Sequence, residues 1–427
     1  MNNAQIIDLI KREVVPAMGC TEPAAVALCT AYATEALGAE PSAIDVKLSA
    51  NILKNAMGVG IPGTGMTGLP IAVALGALVG KSSYQLEVLK DSTPAAVARA
   101  KAWLAAGGLR IGLTTESAEV LYIDVRCSSG GRESRAIIAR DHTRLVFLDG
   151  PACQGLDERA SLGAPADADG REEELTLRRV WEFATTAPLE DIEFINESRR
   201  LNEAAAEEAL KGNYGHELGK TLSRPLGKGI FGDTIFSHII SATSSACDAR
   251  MAGAMIPVMS NSGSGNQGIA ATLPVVVFAR ENHNTEEELT RALVLSHLTA
   301  IYIKQSLGRL SALCGCVVAS TGSSCALTYL MGGGYEQVTA SVKNMIANLT
   351  GMVCDGAKPS CALKVSSGVS TAVLSAMLAV QNHSVSCVEG LIEDDVDRCI
   401  HNLTRLGSVG MQQTDKMVLD IMTHKKG

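Results

Sequence analysis

From residue 175 onward, apolar residues recur at three- and four-residue intervals, and that spacing commits most of this chain to packed helices. The segments expected from it are 180–185, 189–210, 235–254, 285–307, 337–352 and 368–381. Glycine-rich breaks separate them at 260–268, at Gly332-Gly333-Gly334 and at Ser366-Ser367-Gly368. Of 427 residues, 46% are hydrophobic but only 4% aromatic, and 41 are glycine. The apolar mass is therefore Ala, Val, Leu and Ile, which suits helices touching through small residues better than a β-sandwich. No internal repeat is evident.

The N-terminal part has a different texture. Ile6, Leu9, Ile10 and Val14 mark a first helix, broken by Pro16-Ala17-Met18-Gly19. A second helix starts near Thr21 with Pro23 in its first turn, so Cys20 sits at a helix N-terminus, where the dipole is expected to lower a thiol pKa. Residues 45–49 alternate like a short strand, and 58–68 form a glycine-rich loop. By its spacing that loop is neither a P-loop nor a dinucleotide fingerprint, but its amides and hydroxyls suit an anion. Between 83 and 160, one helix is followed by strands expected at 109–113, 118–127, 135–140 and 143–148; 155–172 reads as a linker. The expected fold class is α+β: a mostly helical catalytic domain with a small inserted α+β module. The expected domains are 1–82, the N-terminal part of the helical domain; 83–165, the module; and 166–427, the helical domain that carries Cys314, Cys354 and Cys361.

Several function classes fall away. A net charge of −8 and the lack of any dense Lys/Arg run argue against nucleic acid. The longest apolar stretches, 69–80 and 365–380, are short or interrupted by Ser and Thr, so no membrane span is expected. The start lacks a basic segment followed by an apolar one, and 12 cysteines in so long a chain fit free thiols in a reducing cytoplasm.

Cys314, Cys354 and Cys361, with Cys20, stand in small, glycine-rich surroundings. Three thiolates with a fourth position left open suit a [4Fe–4S] cluster acting as a Lewis acid. The plain alternative is that they are buried small apolar residues. Cys29, Cys127, Cys153, Cys247, Cys316, Cys325, Cys387 and Cys399 are read that way. No CxxC pair exists, and Cys314-Gly315-Cys316 is too tight for a zinc finger. The loop 260–268 is polar between apolar flanks. It offers amide and hydroxyl donors to a carboxylate, or else is a helix–helix turn. His238 and His297 read as satisfied core histidines.

Five motifs in order carry a family resemblance: Pro16 to Ala24, Ser49 to Asn55 with Ile61-Pro62-Gly63, Ser260 to Gly268, Gly308 to Cys316, and Cys354 to Cys361. Together they resemble the L-cysteine desulfidase family, related to the alpha chain of bacterial iron–sulfur L-serine dehydratases. The resemblance implies an oxygen-sensitive [4Fe–4S] lyase that converts L-cysteine to pyruvate, ammonia and sulfide. It implies Cys314, Cys354 and Cys361 as cluster ligands, with Cys316 as a rival for the first place. It implies Cys20 as catalytic base or reserve ligand. A small amino-acid substrate is then expected among Asn51, Asn55, Ser260, Asn261, Ser262 and Asn266, in the same pocket as the cysteines. L-serine dehydration is the near alternative, though 49–55 and 61–68 lack the histidine such enzymes carry. A non-catalytic iron–sulfur redox sensor is the alternative from another class, and a homo-oligomer is left open.

Overall fold

The computed structural model describes residues 1–117, 119–162, 175–308 and 310–425. Most of the expected linker, 163–172, lies outside the described residues, as does Ala118 of one expected strand.

The helical body forms where the periodicity places it. Helices Leu177–Thr186, Glu197–Lys211, Ile235–Met251, Glu286–Leu307, Tyr335–Leu349 and Cys361–Val380 enclose one continuous apolar core. Two central helices, Gly265–Glu281 and Gly315–Leu330, are additions to the expected segments. Gly315–Leu330 is buried nearly all round and rich in Ser and Thr, so it shows no alternation of apolar and polar faces. Its hydroxyls are satisfied internally: Thr321 Oγ1 donates to Val317 O at 2.8 Å, and Ser324 Oγ to Ala372 O at 3.0 Å. A buried hydroxyl that donates to a carbonyl avoids the cost of desolvation, so such a helix can occupy a core. Gly322 lets it approach its neighbour closely, for a Cβ there would meet Ser296 O at 2.2 Å. Cys361–Val380 is long and apolar enough by composition to cross a membrane, but half of its apolar window is buried in this body.

The second layer is a six-stranded sheet with helix Thr21–Leu37 packed across it and Leu69–Leu78 behind. Its order is Leu109–Leu113, Ala43–Leu48, Tyr122–Ser129, Arg132–Ala139, Leu145–Asp149, Leu156–Asp157. Only the first pair is parallel. Gly130 and Gly131, both with positive φ, make the two-residue turn between Ser129 and Arg132. Residues 1–82 divide between the two layers. Helix Asn3–Glu13 packs on the helical body, whereas Thr21–Leu37, Ala43–Leu48 and Leu69–Leu78 share a core with the sheet. The packing therefore does not break at 82/83.

Two long-range links join the layers. Strand Pro16–Met18 pairs antiparallel with Pro257–Met259, which sets Cys20 beside the loop 260–268. Lys54, only 1% exposed at its side chain, is ion-paired with Asp415 on the C-terminal helix Gln412–Thr423. A buried lysine without a counter-charge is strongly destabilising, so this pair fixes where the C-terminal helix docks.

Candidate active site

Four helix starts meet around one cavity. Cys20 precedes Thr21–Leu37, Ser264 caps Gly265–Glu281, Cys314 precedes Gly315–Leu330, and Cys361 opens Cys361–Val380. Cys354 joins them from an extended segment: Cys314 N donates to Met352 O at 3.0 Å and Cys354 N to Ala312 O at 2.7 Å. Cys20, Cys314, Cys354 and Cys361 all line this cavity, of about 100 Å³. Cys316 lines it too, but its Sγ lies 3.1 Å from Lys364 O, to which it donates. Gly356, at φ +89°, turns the chain between Cys354 and Cys361; a Cβ there would meet Lys54 O at 2.3 Å.

Electrostatics set the state of these thiols. A hydrogen bond with Cys316, then burial, pushes Cys314 well above the ordinary thiol range. Burial pushes Cys354 up, with Cys314 adding to it, and raises Cys361 to about 11. Neighbouring buried thiols cannot ionise together without a cationic guest, whereas metal binding requires them ionised. Three lysine charges bear on them: Lys364 on Cys314 and Cys354, Lys54 on Cys354 and Lys358 on Cys361; the Lys364 Nζ donates to Val353 O at 2.8 Å and pairs with Asp355. Burial raises Asp355, yet the hydrogen bonds from Lys358 and Lys364 hold it at about 2. No three His, Cys, Asp or Glu side chains among the described residues are gathered closely enough for a single metal ion. Three thiols spread round a common cavity do fit a larger polynuclear cluster, and so do the positive ends of the four helix dipoles.

The substrate residues expected from sequence divide into two groups. Asn55, Ser262 and Asn266 line the cavity with the cysteines. Asn51, Ser260 and Asn261 do not. Asn51 faces a separate cleft of about 1400 Å³, which adjoins the cavity at Leu310 and Ser311. Asn51 and Asn55 share the helix Ala50–Ala56, but four residues carry the chain roughly 6 Å along its axis, enough to separate two pockets. Ser260 Oγ donates to Val15 O at 2.6 Å, away from the cavity. Sequence reading missed Glu22, His142, Arg250, Gln267, Lys304 and Lys364, all on the cavity wall. A charged residue within the small-residue run around Arg250 was the one available signal.

Cys20 differs from expectation. A helix start is expected to lower its pKa, but burial and then the Glu22 carboxylate raise it well above the ordinary value. Cys20 Sγ donates to Glu22 Oε2 at 2.9 Å, and Asn55 Nδ2 donates to Glu22 Oε1 at 3.1 Å. Burial pushes Glu22 up, but the charge of His142 and these hydrogen bonds outweigh it and hold the carboxyl below its usual range. The first turn of one helix thus carries a neutral thiol donating to a buried carboxylate.

The loop 260–268 is rigid from behind. Asn261 N donates to Ser264 O and Ser264 N to Asn261 O, each at 3.0 Å, closing a tight turn. Ser262 stands in the left-handed region at φ 48°, which costs a non-glycine residue on the order of 1 kcal/mol or more. Ser262 N donates to Glu13 O, and its Oγ to Asn261 Oδ1, each at 2.9 Å. Asn261 Nδ2 donates to His297 Nδ1 at 3.1 Å, so the ring proton sits on Nε2 and points to Thr272 Oγ1 at 3.0 Å. His297 is fully buried, and burial lowers its pKa to about 3. The folded state therefore favours neutral His297, and this contribution to stability is lost as pH falls from about 6.5 toward about 3. Between pH 7 and 5 the unfolding free energy should drop by about 2 kcal/mol on this account. In His297→Gln the urea-derived drop should be smaller by that amount; equal drops in the two proteins would refute the assignment.

Comparison of the sequence with known proteins points to a class of lyase-type enzymes associated with iron–sulfur chemistry. More particularly, the chain belongs to the serine dehydratase alpha chain family, whose model matches residues 83–420. It is similar along nearly its whole length to proteins named only "UPF0597 protein". One from Phocaeicola vulgatus is 66% identical over 99% of this chain and 98% of its own length. Others, from Bacteroides thetaiotaomicron and Porphyromonas gingivalis, are 65% and 51% identical over the same shares.

Proposed function

We propose that the protein is an iron–sulfur-dependent carbon–sulfur lyase, an L-cysteine desulfidase, that eliminates sulfide from L-cysteine to give pyruvate, ammonia and hydrogen sulfide. The observation that carries this reading is the meeting of Cys314, Cys354 and Cys361 at one cavity from three separate segments. These three would hold a [4Fe–4S] cluster. Cys314 is preferred to Cys316 because the Cys316 thiol is engaged with Lys364 O. When bound, the cluster would supply a Lewis-acidic iron for the leaving group.

The remaining chemistry belongs to the chain. As the thiolate, having lost its proton to solvent, Cys20 takes the α-proton of the substrate; the restored thiol donates to Glu22 Oε2, 2.9 Å away, until it gives its proton to the departing sulfide. The electrons of the C–H bond form the new C=C bond as the C–S bond breaks. Sulfide departs, and the enamine left behind tautomerises and hydrolyses to pyruvate and ammonia. Asn55, Ser262 and Asn266 contact the substrate at the cavity wall. Asn51, in the separate outer cleft, is left out of the substrate site, and Ser260 and Asn261 hold the loop from behind. All 12 cysteines are free thiols, which supports work in the reducing cytoplasm.

L-serine is the competing substrate, favoured by the family to which the chain belongs. Parallel anaerobic assays decide between them. Sulfide and pyruvate released from L-cysteine with kcat/KM above that for L-serine is the expected result. A preference for L-serine would make the protein a dehydratase, and release from neither would remove both readings.

A further inference from the structure

Arg250 is 3% exposed, and its Nη1 donates to Asn266 Oδ1 at 3.0 Å. Its Nε has no hydrogen-bond partner, and among the described residues no carboxylate is within ion-pair distance. Leaving a guanidinium buried without a counter-anion is costly, so a cation kept there needs an anion from outside the chain. Among the buried polar atoms of the same wall that lack partners are Asn55 Oδ1 and Gln267 Oε1, in residues 9% and 3% exposed. Both are acceptors. One cavity thus holds an unmatched cationic donor and two unmatched acceptors.

Packing keeps these groups in place. A Cβ on Gly265 would meet Arg250 Nε at 2.2 Å, and one on Gly315 would meet Gln267 Cδ at 2.8 Å. Arg250 also stands apart from the cations that serve the proposed ligands. Lys364 bears on Cys314 and Cys354, whereas Arg250 bears on Cys20 and Cys247.

We propose that Arg250 clamps the α-carboxylate of the substrate, while Asn55 Oδ1 and Gln267 Oε1 receive its α-ammonium group. The cavity then selects an α-amino acid through both of its charges, a selection that rests on the proposed lyase reading for its substrate class. Guanidinium–carboxylate pairing supplies directional charge-assisted hydrogen bonds. An ammonium group meets acceptors that otherwise remain unpaired, the condition under which polar discrimination is strongest.

Two fragments of the substrate separate the two halves of the clamp. 3-Mercaptopropionate carries the carboxylate without the ammonium, and cysteamine the ammonium without the carboxylate. Each is tested on full-length protein prepared anaerobically, both as an inhibitor and by the rise in Tm, with visible absorbance monitored throughout. In Arg250→Gln, binding of 3-mercaptopropionate should weaken at least about tenfold and that of cysteamine less than about twofold, the scale of a lost charge-assisted contact. In Gln267→Met the pattern should reverse. Arg250→Lys, which keeps the charge, should lie between wild type and Arg250→Gln. Equal weakening of both fragments, or of neither, overturns the clamp. If Arg250→Gln fails to fold, Gln267→Met and Arg250→Lys test the same two halves by the same criteria. The crossed pattern in a protein that releases no sulfide would uphold the clamp and reject the lyase. Turnover of L-cysteine without the crossed pattern would do the opposite.

Discussion

Replacing Cys354 or Cys361 with serine is expected to abolish both sulfide release and visible absorbance in protein prepared and reconstituted without oxygen. Each lies on a different arm of the turn around Gly356, and each would supply one of only three thiolates. A hydroxyl of the same size keeps the packing but is a poor ligand for an iron–sulfur cluster. The loss should therefore be of iron and not of fold: far-ultraviolet circular dichroism should match wild type while iron content falls. Cys314→Ser should behave likewise and Cys316→Ser should not, because the Cys316 thiol is turned to Lys364 O. Normal iron content in Cys354→Ser, Cys361→Ser or Cys314→Ser would exclude that residue as a ligand, and loss of iron in Cys316→Ser would exchange the first ligand.

Cys20→Ala should keep its absorbance and lose activity by roughly 100-fold or more, the scale of a missing acid–base group. The thiol is pushed above its ordinary value by burial and by Glu22, so its reactive form is scarce at neutral pH. The rate of wild type should accordingly keep climbing through pH 9, in the sense expected for a base that must lose its proton. A variant that turns over normally without oxygen but bleaches faster in air would make Cys20 a guard ligand. Full activity with ordinary air sensitivity would leave it no role in the site.

Much of this was legible in the chain itself. The cysteines announced themselves because they interrupt helical patterns at glycine-rich breaks, and such breaks are where helix ends meet in space. The strands were legible because alternation survives where one face is buried. The helix Gly315–Leu330 was not, because a segment buried on every side has no periodicity to read. Arg250 and Gln267 were hidden for a related reason. Arg250 is a charged residue in a small-residue run and Gln267 stands in the polar loop 260–268, but only the approach of Gly265 and Gly315 makes a charged and an amide side chain face the same space. Asn51 shows the reverse error: the resemblance put it in one pocket with Asn55, but the distance along the helix axis takes it to another cleft.

Lys54 and Asp415 are 361 residues apart in the chain. A ribosome adding roughly 5–20 residues per second needs on the order of 20–70 seconds between making the first and making the second. Throughout that interval the amine has no counter-charge, and the cysteines at 314, 354 and 361 emerge only toward its close. The sheet layer can collapse early on its own apolar core, but the outer cleft, walled in part by Asp415 and Lys416, is completed only at the end of synthesis. Any inorganic guest would therefore enter a nearly finished protein, because its proposed ligands are among the last residues made.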